Sequence, residues 1–164
     1  MITYKLFNLK KGKLYPLYVN ANKETPLGVW LPAENGAFAA DGKHVKSKLG
    51  ALSFRPGWHS GNAPVARHIG EKENANDKYP SYRPAKQVWC ECEVHTEVDY
   101  ATKAGRYGLK TIPVNGGYWF KTNRNMYGEW YISGEIKVNR ILTDDEVYAI
   151  NEMYGVHDLP RRTK

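Results

Sequence analysis

The sequence predicts a single α+β domain: a twisted, mainly antiparallel sheet with a C-terminal helix packed on it. Its length of 164 residues suits one domain. Short segments that alternate apolar and polar residues recur along the chain. Aromatic residues, which pack well on pleated surfaces, reach 13%. We expect one domain over residues 1–164, with mobile loops near 34–48 and 70–84 and a frayed tail over 160–164, because these stretches are rich in polar residues and turn formers.

The N-terminal segment is typical of a β-hairpin. Tyr4–Leu9 and Leu14–Val19 are rich in apolar residues and flank a turn over Lys10–Lys13. Pro16 has no backbone N–H, so we expect the second strand to lie at an edge or to begin after it. Further short strands are predicted at 29–31 and 52–54.

Several later segments complete the predicted sheet. Gln87–Val94 alternates apolar and polar residues, as a half-buried strand does, but both faces hold bulky or charged groups. The two faces would carry Val88, Cys90 and Cys92 on one side and Trp89, Glu91 and Glu93 on the other. A short helix is predicted over 99–105, and strands over 118–122, 129–133 and 135–141, with Gly134 allowing a bulge or turn.

The clearest helix signal lies near the C-terminus. Thr143 and Glu146 have the spacing of a capping box, in which each side chain satisfies a backbone N–H at the helix start. Val147, Ile150 and Tyr154 follow at helical spacing, and Gly155 provides a stop. We expect this apolar stripe to pack on the sheet.

Composition indicates the class of partner. With 24 Lys and Arg against 17 Asp and Glu, the formal charge is +7, which attracts nucleic acid and other polyanions, although solubility alone explains it equally well. No apolar run is long enough to span a bilayer, and the N-terminus has no signal-peptide pattern, so no membrane partner is expected. Cys90 and Cys92 are too close along the chain for an ordinary disulfide, which favours reduced thiols in the cytoplasm.

The densest group of reactive side chains surrounds two histidines. Arg55 and His59 lie in one stretch that we expect to be a loop, because it contains Gly and Pro, and His68 follows nine positions after His59. Two imidazoles are suited to act as general base and general acid on a phosphodiester, with Arg55 neutralising charge on the phosphate. The alternative is two unrelated surface or structural histidines. Their spacing does not match a helical zinc pair, and no P-loop or dinucleotide motif occurs, so neither metal nor cofactor is predicted.

A second set of residues is a candidate for nucleic-acid contacts. Lys121 is expected to complete the catalytic phosphate site, and the aromatic strand before it offers rings on which bases can stack. The predicted nucleic-acid-binding residues are Tyr118, Trp119, Thr122, Arg124, Lys137 and Arg140. Glu91 and Glu129 are candidate carboxylates, although glutamates on strands usually face water. A strand end with solvated charges is the simpler alternative for Lys121 and Thr122.

Five strings resemble a domain of phage and prophage proteins, where it occurs alone or as a module of large polyvalent or MuF-type proteins: LGALSFRPGWHSG, ARHIG, VWCECE, GYWFKTN and WYISGEIKVNRIL. The resemblance covers most of the chain, from about Leu14 to Arg161. It implies a protein that acts in the cytoplasm of a bacterial host cell and that is similar to one of two effector types. One is the nuclease superfamily of barnase, EndoU, colicin and RelE-like folds, and the other is the ADP-ribosyltransferases, which act on NAD.

Three functions follow from these observations. The first is a metal-independent endoribonuclease that uses His59 and His68, with RNA as partner. The second is an ADP-ribosyltransferase, in which Arg55 or His59 holds NAD and Glu129 or Glu135 orients the ribose. The third is a phage protein without enzymatic activity that binds nucleic acid or a host defence protein.

Overall fold

The computed structural model describes residues 1–35, 45–47, 50–52, 57–122 and 128–162, with the backbone alone at 45–47 and 50–52. Within these residues the chain forms eleven strands, two α-helices and one turn of 3₁₀ helix. The strands are β1 (Ile2–Lys10), β2 (Lys13–Tyr15), β3 (Trp30–Pro32), β4 (Val45–Ser47), β5 (Gly50–Leu52), β6 (Trp58–Gly61), β7 (Gln87–Val94), β8 (Val98–Asp99), β9 (Tyr118–Lys121), β10 (Trp130–Ser133) and β11 (Glu135–Ile141). The helices are α1 (Ala101–Tyr107) and α2 (Asp144–Met153), and the 3₁₀ turn spans Leu109–Thr111.

One large sheet organises the protein. Its strand order is β3-β11-β7-β1-β6-β10-β9-β8, with β2 paired to β1, while β4 and β5 pair separately. Neighbouring strands run antiparallel except β8 and β9, which run parallel, so the sheet is mixed. The predicted α+β class and the C-terminal helix are confirmed.

The sheet curls strongly on itself at Gly134. β10 and β11 are four strand positions apart, about 19 Å in a flat sheet, yet Gly134 alone separates them along the chain. A Cβ atom at Gly134 would lie 2.2 Å from the carbonyl oxygen of Gly116, so only glycine fits this bend. Trp58 of β6 also reaches across the concave face, where its Nε1 donates to the Leu31 carbonyl of β3 at 3.0 Å.

Both faces of the sheet are buried, which explains why β7 has apolar residues on each side. The concave face encloses a core of Phe7, Leu14, Val88, Cys90, Cys92, Val94, Ile136 and Val138. On the outer face, α2 packs through Val147 against Leu6, Trp89 and Trp130. A third cluster, also on the outer face, joins α1 and the 3₁₀ turn to Tyr118, Phe120 and Ile132. The two helices therefore pack on the same face.

Two local predictions are confirmed in detail. The N-terminal hairpin forms with Leu9 opposite Leu14, and its second strand ends at Tyr15, immediately before Pro16. Helix α2 starts with the complete capping box, since Thr143 accepts from the Glu146 amide and the Glu146 side chain accepts from the Thr143 amide.

Three predictions need correction. Residues 58–61 form strand β6 and not a loop, because β1 and β10 pair with it on either side despite the flanking glycines. The short helix begins and ends two residues later than predicted and passes through Gly105. The tail is not frayed over 160–162, because Arg83 N–H donates to the Pro160 carbonyl and Arg162 N–H donates to the Arg83 carbonyl. The loop predicted near 34–48 lies mostly outside the described residues.

Candidate functional site

His59 lies on the outer face of the sheet, within β6. It pairs with Ile132 of β10, and because side chains alternate along a strand, its ring points away from Trp58 and Ser60, which face the concave side. The side chain is half-buried. On the concave side, the His59 carbonyl accepts a hydrogen bond of 2.8 Å from Lys5 Nζ, which holds this part of the strand in place.

His68 approaches the same face from the loop that follows β6. Its ring meets Trp130 edge to face, with centroids 5.6 Å apart, and Trp130 belongs to the outer-face core. Partial burial and the positive charge of Arg83 lower the pKa of His68 below its ordinary value. The neutral imidazole therefore predominates at neutral pH and can accept a proton.

The two histidines are thus on one face of one strand pair. His59 lies directly opposite Ile132 of β10 in the strand pairing. His68 contacts Trp130, which is two residues from Ile132 on β10. Ile132 and Trp130 are about 7 Å apart along the strand backbone. An acid and a base that act on one phosphate must each reach a different oxygen, which requires that both rings lie on the same side of the sheet, as they do here.

Lys121 does not join the histidines. It pairs with Tyr131 of β10, so its side chain lies on the concave side of the sheet. There its Nζ bonds Glu129 at 3.1 Å, and the Tyr131 hydroxyl donates to the same carboxylate at 2.7 Å. These hydrogen bonds, with that of Tyr131 the stronger, lower the pKa of Glu129. Arg55 and Arg124, the other predicted cations of this region, lie outside the described residues.

The predicted stacking strand presents less aromatic surface than expected. Tyr118 is buried in the core beneath α1, and its hydroxyl donates to the Val114 carbonyl at 2.9 Å. No face of that ring is open to a base. Trp119 is half-buried against Tyr131, with centroids 5.5 Å apart, on the side opposite the histidines. Thr122 is exposed just after the strand, where its amide donates to the Trp130 carbonyl.

Lys137 and Arg140 are engaged by carboxylates. Lys137 Nζ lies 2.7 Å from Glu93 and 5.3 Å from the centre of the Trp30 ring. Arg140 bonds both Glu146 and Glu91, which ties β11 to the start of α2. The carboxylate partners account for the positions of both cations and neutralise much of their charge. Strand β11 therefore offers less positive charge to a ligand than the sequence suggests.

The sequence did not point to Lys5, although it lies beneath His59. Its side chain is half-buried, and loss of hydration lowers the pKa of Lys5 to about 8. Around this concave surface lie three fully buried hydroxyl groups without hydrogen-bond partners among the described residues, on Thr3, Ser60 and Ser133. A charged residue at an inward position of the pattern Thr3-Lys5-Phe7 was the signal that could have identified it.

A second unpredicted cluster lies where the end of β7 meets β3 and β11. His95 stacks on Trp30 with centroids 3.8 Å apart, and its ring nitrogens lie 3.1 Å from Glu135 and 3.3 Å from Glu97. Glu135 follows Gly134 and so begins β11 just beyond the end of β10. The described contact of its carboxylate is with His95.

Nothing else in the described residues adds a reactive centre. A shallow cavity of about 130 Å³ at the end of β6 is lined by Asn62, Ala63, Val65, Gly128, Tyr154 and Val156. In the described ranges no three His, Cys, Asp or Glu side chains converge as metal ligands would, and no helix has the length and apolar character to cross a membrane.

The comparisons with known proteins add no relative: no protein-family model, curated protein or solved structure matches this chain.

Proposed function

We propose that this protein is a phage-encoded protein that acts on nucleic acid and cleaves RNA without a metal ion, through His59 and His68. The observation that carries the proposal is their common position. Both lie on the helix-bearing face: His59 is opposite Ile132 of β10, and the ring of His68 contacts Trp130, two residues away on the same strand.

The chemistry follows from the different environments of the two rings. His68, with its lowered pKa, is the general base and removes the proton from a ribose 2′-hydroxyl. The 2′-oxygen then forms a bond to phosphorus, and the bond from phosphorus to the 5′-oxygen breaks. His59 is the general acid and delivers a proton to that leaving oxygen. The products are a 2′,3′-cyclic phosphate and a free 5′-hydroxyl, so no oxidant, water or metal ion is consumed.

The test is cleavage of labelled RNA in the presence of a chelator. We expect cleavage by the wild-type protein, and a loss of at least a hundredfold in His59→Gln and in His68→Gln, since general acid–base groups contribute about 10²–10⁴ in rate. His157→Gln is the matched control: its exposed ring lies beside Tyr148 of α2. Its bond with Arg67, next to His68, is made by the backbone carbonyl, which glutamine keeps. Cleavage that is equal in all three variants, or that disappears with chelator, contradicts the proposal.

A second function, binding of nucleic acid without cleavage, is favoured by one observation. Lys121, the described cation that the sequence assigned to the catalytic phosphate, lies on the opposite face from the histidines. A binding protein of charge +7 needs no such group. Tight, salt-dependent binding of RNA that leaves it intact would support this function over the first.

A further inference from the structure

We infer that the exposed side of helix α1 is the surface that binds single-stranded nucleic acid. The surface comprises Lys103, Arg106, Tyr107 and Lys110 and is called the α1 basic face below. The inference rests on the proposed function only in taking nucleic acid as the partner. Binding at this surface does not require the histidines to be catalytic.

The helical spacing brings these side chains together. Lys103, Arg106 and Tyr107 stand at positions i, i+3 and i+4, which are neighbours on one side of a helix. Lys110 extends the same charge into the 3₁₀ turn that follows. Tyr100 and Ala104 pack against the core. Arg106 is exposed on the side of the helix opposite Ala104, and Lys103 and Tyr107 lie at the border between the buried and exposed sides.

The cations of this face have no carboxylate partner among the described residues. Several cations elsewhere are held by one: Lys121, Lys137, Arg140, Arg161 and Arg162. The first turn of α1 has no acidic residue, and Lys103 Nζ lies 5.2 Å from the centre of the Tyr100 ring. Two like charges on α1 and a third in the 3₁₀ turn after it repel one another, and a polyanion that binds them relieves that repulsion and releases its own counterions.

An exposed aromatic ring lies within this charge. The side chain of Tyr107 is 64% exposed, so the ring is open to a ligand. Bases of a single strand can stack on such a ring, whereas paired bases inside a duplex are already stacked on each other. Cations that hold phosphates beside a ring that holds a base are the combination that single-stranded nucleic acid recognises.

The α1 basic face is also next to the proposed cleavage site. Helix α1 packs on the cluster that contains Ile132, and Ile132 is the residue directly opposite His59. In the sheet order α1 lies over β9, which is two strands from β6. Charge and aromatic exposure thus favour the same ligand.

The test measures binding of a fluorescent single-stranded oligouridine by anisotropy at several salt concentrations. The triple variant Lys103→Gln/Arg106→Gln/Lys110→Gln should bind at least tenfold more weakly at low salt. Its slope of log affinity against log salt should be smaller by about 2, because each phosphate contact on a single strand contributes about 0.7. The separate variant Tyr107→Ala should weaken single-strand binding by roughly tenfold and leave duplex binding of the same length unchanged.

A matched control separates this surface from total charge. The variant Lys72→Gln/Lys78→Gln/Lys86→Gln removes the same three charges from exposed loop positions. Equal losses in the two triple variants, or equal binding of duplex and single strand by the wild-type protein, would overturn the inference. Failure of the proposed function looks different: His59→Gln and wild type would both leave RNA intact while the α1 variant alone lost binding.

Discussion

The buried ion pair between Arg83 and Asp158 gives the sharpest prediction about stability. The guanidinium bonds the Asp158 carboxylate and also donates to the carbonyls of Ala66 and Ile69, at 2.6 and 2.8 Å. Trp89 Nε1 donates to the same carboxylate at 2.7 Å. The pair therefore joins the C-terminal segment to β7 and to the loop that carries His68. We expect Asp158→Asn to lower the free energy of unfolding by much more than an average substitution does.

The expected magnitude follows from burial. The Arg83 side chain is 1% exposed and that of Asp158 is 10% exposed, so solvent cannot replace the lost carboxylate. Breaking a buried pair while its partner stays charged costs about 3–5 kcal/mol. Asparagine has the same shape as aspartate, so the loss comes from charge and not from a cavity. Against a typical free energy of unfolding of about 5–15 kcal/mol, roughly a fifth or more of the stability is at risk.

Urea denaturation followed by tryptophan fluorescence measures the effect, because Trp89 contacts the pair. Arg162→Gln is the control: its ion pair with Glu71 is exposed, and such pairs contribute about 0–1 kcal/mol. The double variant Arg83→Met/Asp158→Asn should lose less than the sum of the two single losses, because it leaves no buried charge unpaired. A loss below about 1 kcal/mol in Asp158→Asn, equal to that of the control, would refute the reasoning.

Two further predictions concern pH and helix capping. Because the pKa of Lys5 is depressed, the folded state holds fewer protons than the unfolded state between about pH 8 and pH 10.5. The free energy of unfolding of the wild-type protein should therefore rise with pH across that window, relative to that of Lys5→Met, by up to roughly 3 kcal/mol. Urea midpoints at several pH values test this, and a gap that stays constant with pH contradicts it. Thr143→Ala should lower the free energy of unfolding by about 1 kcal/mol, because it removes the hydroxyl that caps α2. Thr143→Ser keeps that hydroxyl and should lose less. Equal losses in the two variants would show that the hydroxyl does not stabilise the helix.

The elements that the sequence predicted well are those fixed by local chemistry. The capping box of Thr143 and Glu146 specifies where α2 begins without reference to the rest of the chain. The alternation of apolar and polar residues over Gln87–Val94 predicted strand β7. It did not predict which face is buried, because burial on both faces depends on the curl of the sheet and on the packing of α2. Strand β6 was missed, because Gly57 and Gly61 suggest a loop locally, and only pairing on both sides makes Trp58–Gly61 a strand.

The site was predictable only in part, for a similar reason. Residue types pointed to His59 and His68, and the common face that the proposal requires came from the tertiary pairing of β6 with β10. The face on which Lys121 lies depends on strand register, which composition does not reveal. The pairing of Arg83 with Asp158 joins positions 75 residues apart, and each looks like a solvated loop charge when only the sequence is considered.

The position of Lys5 connects stability with the proposed site. A methionine or leucine at this inward position would avoid the cost of placing an amine against Phe7 and Trp58, so packing alone does not call for lysine. The described polar contact of the amine is the His59 carbonyl. Because that carbonyl belongs to the residue whose ring points to the opposite face, the lysine restrains the backbone from which the imidazole projects. A restrained backbone limits the positions that a half-buried imidazole can take, and a proton donor must stay within hydrogen-bond reach of one oxygen. On this reasoning, the less stable choice at position 5 is consistent with a requirement to hold His59 in place.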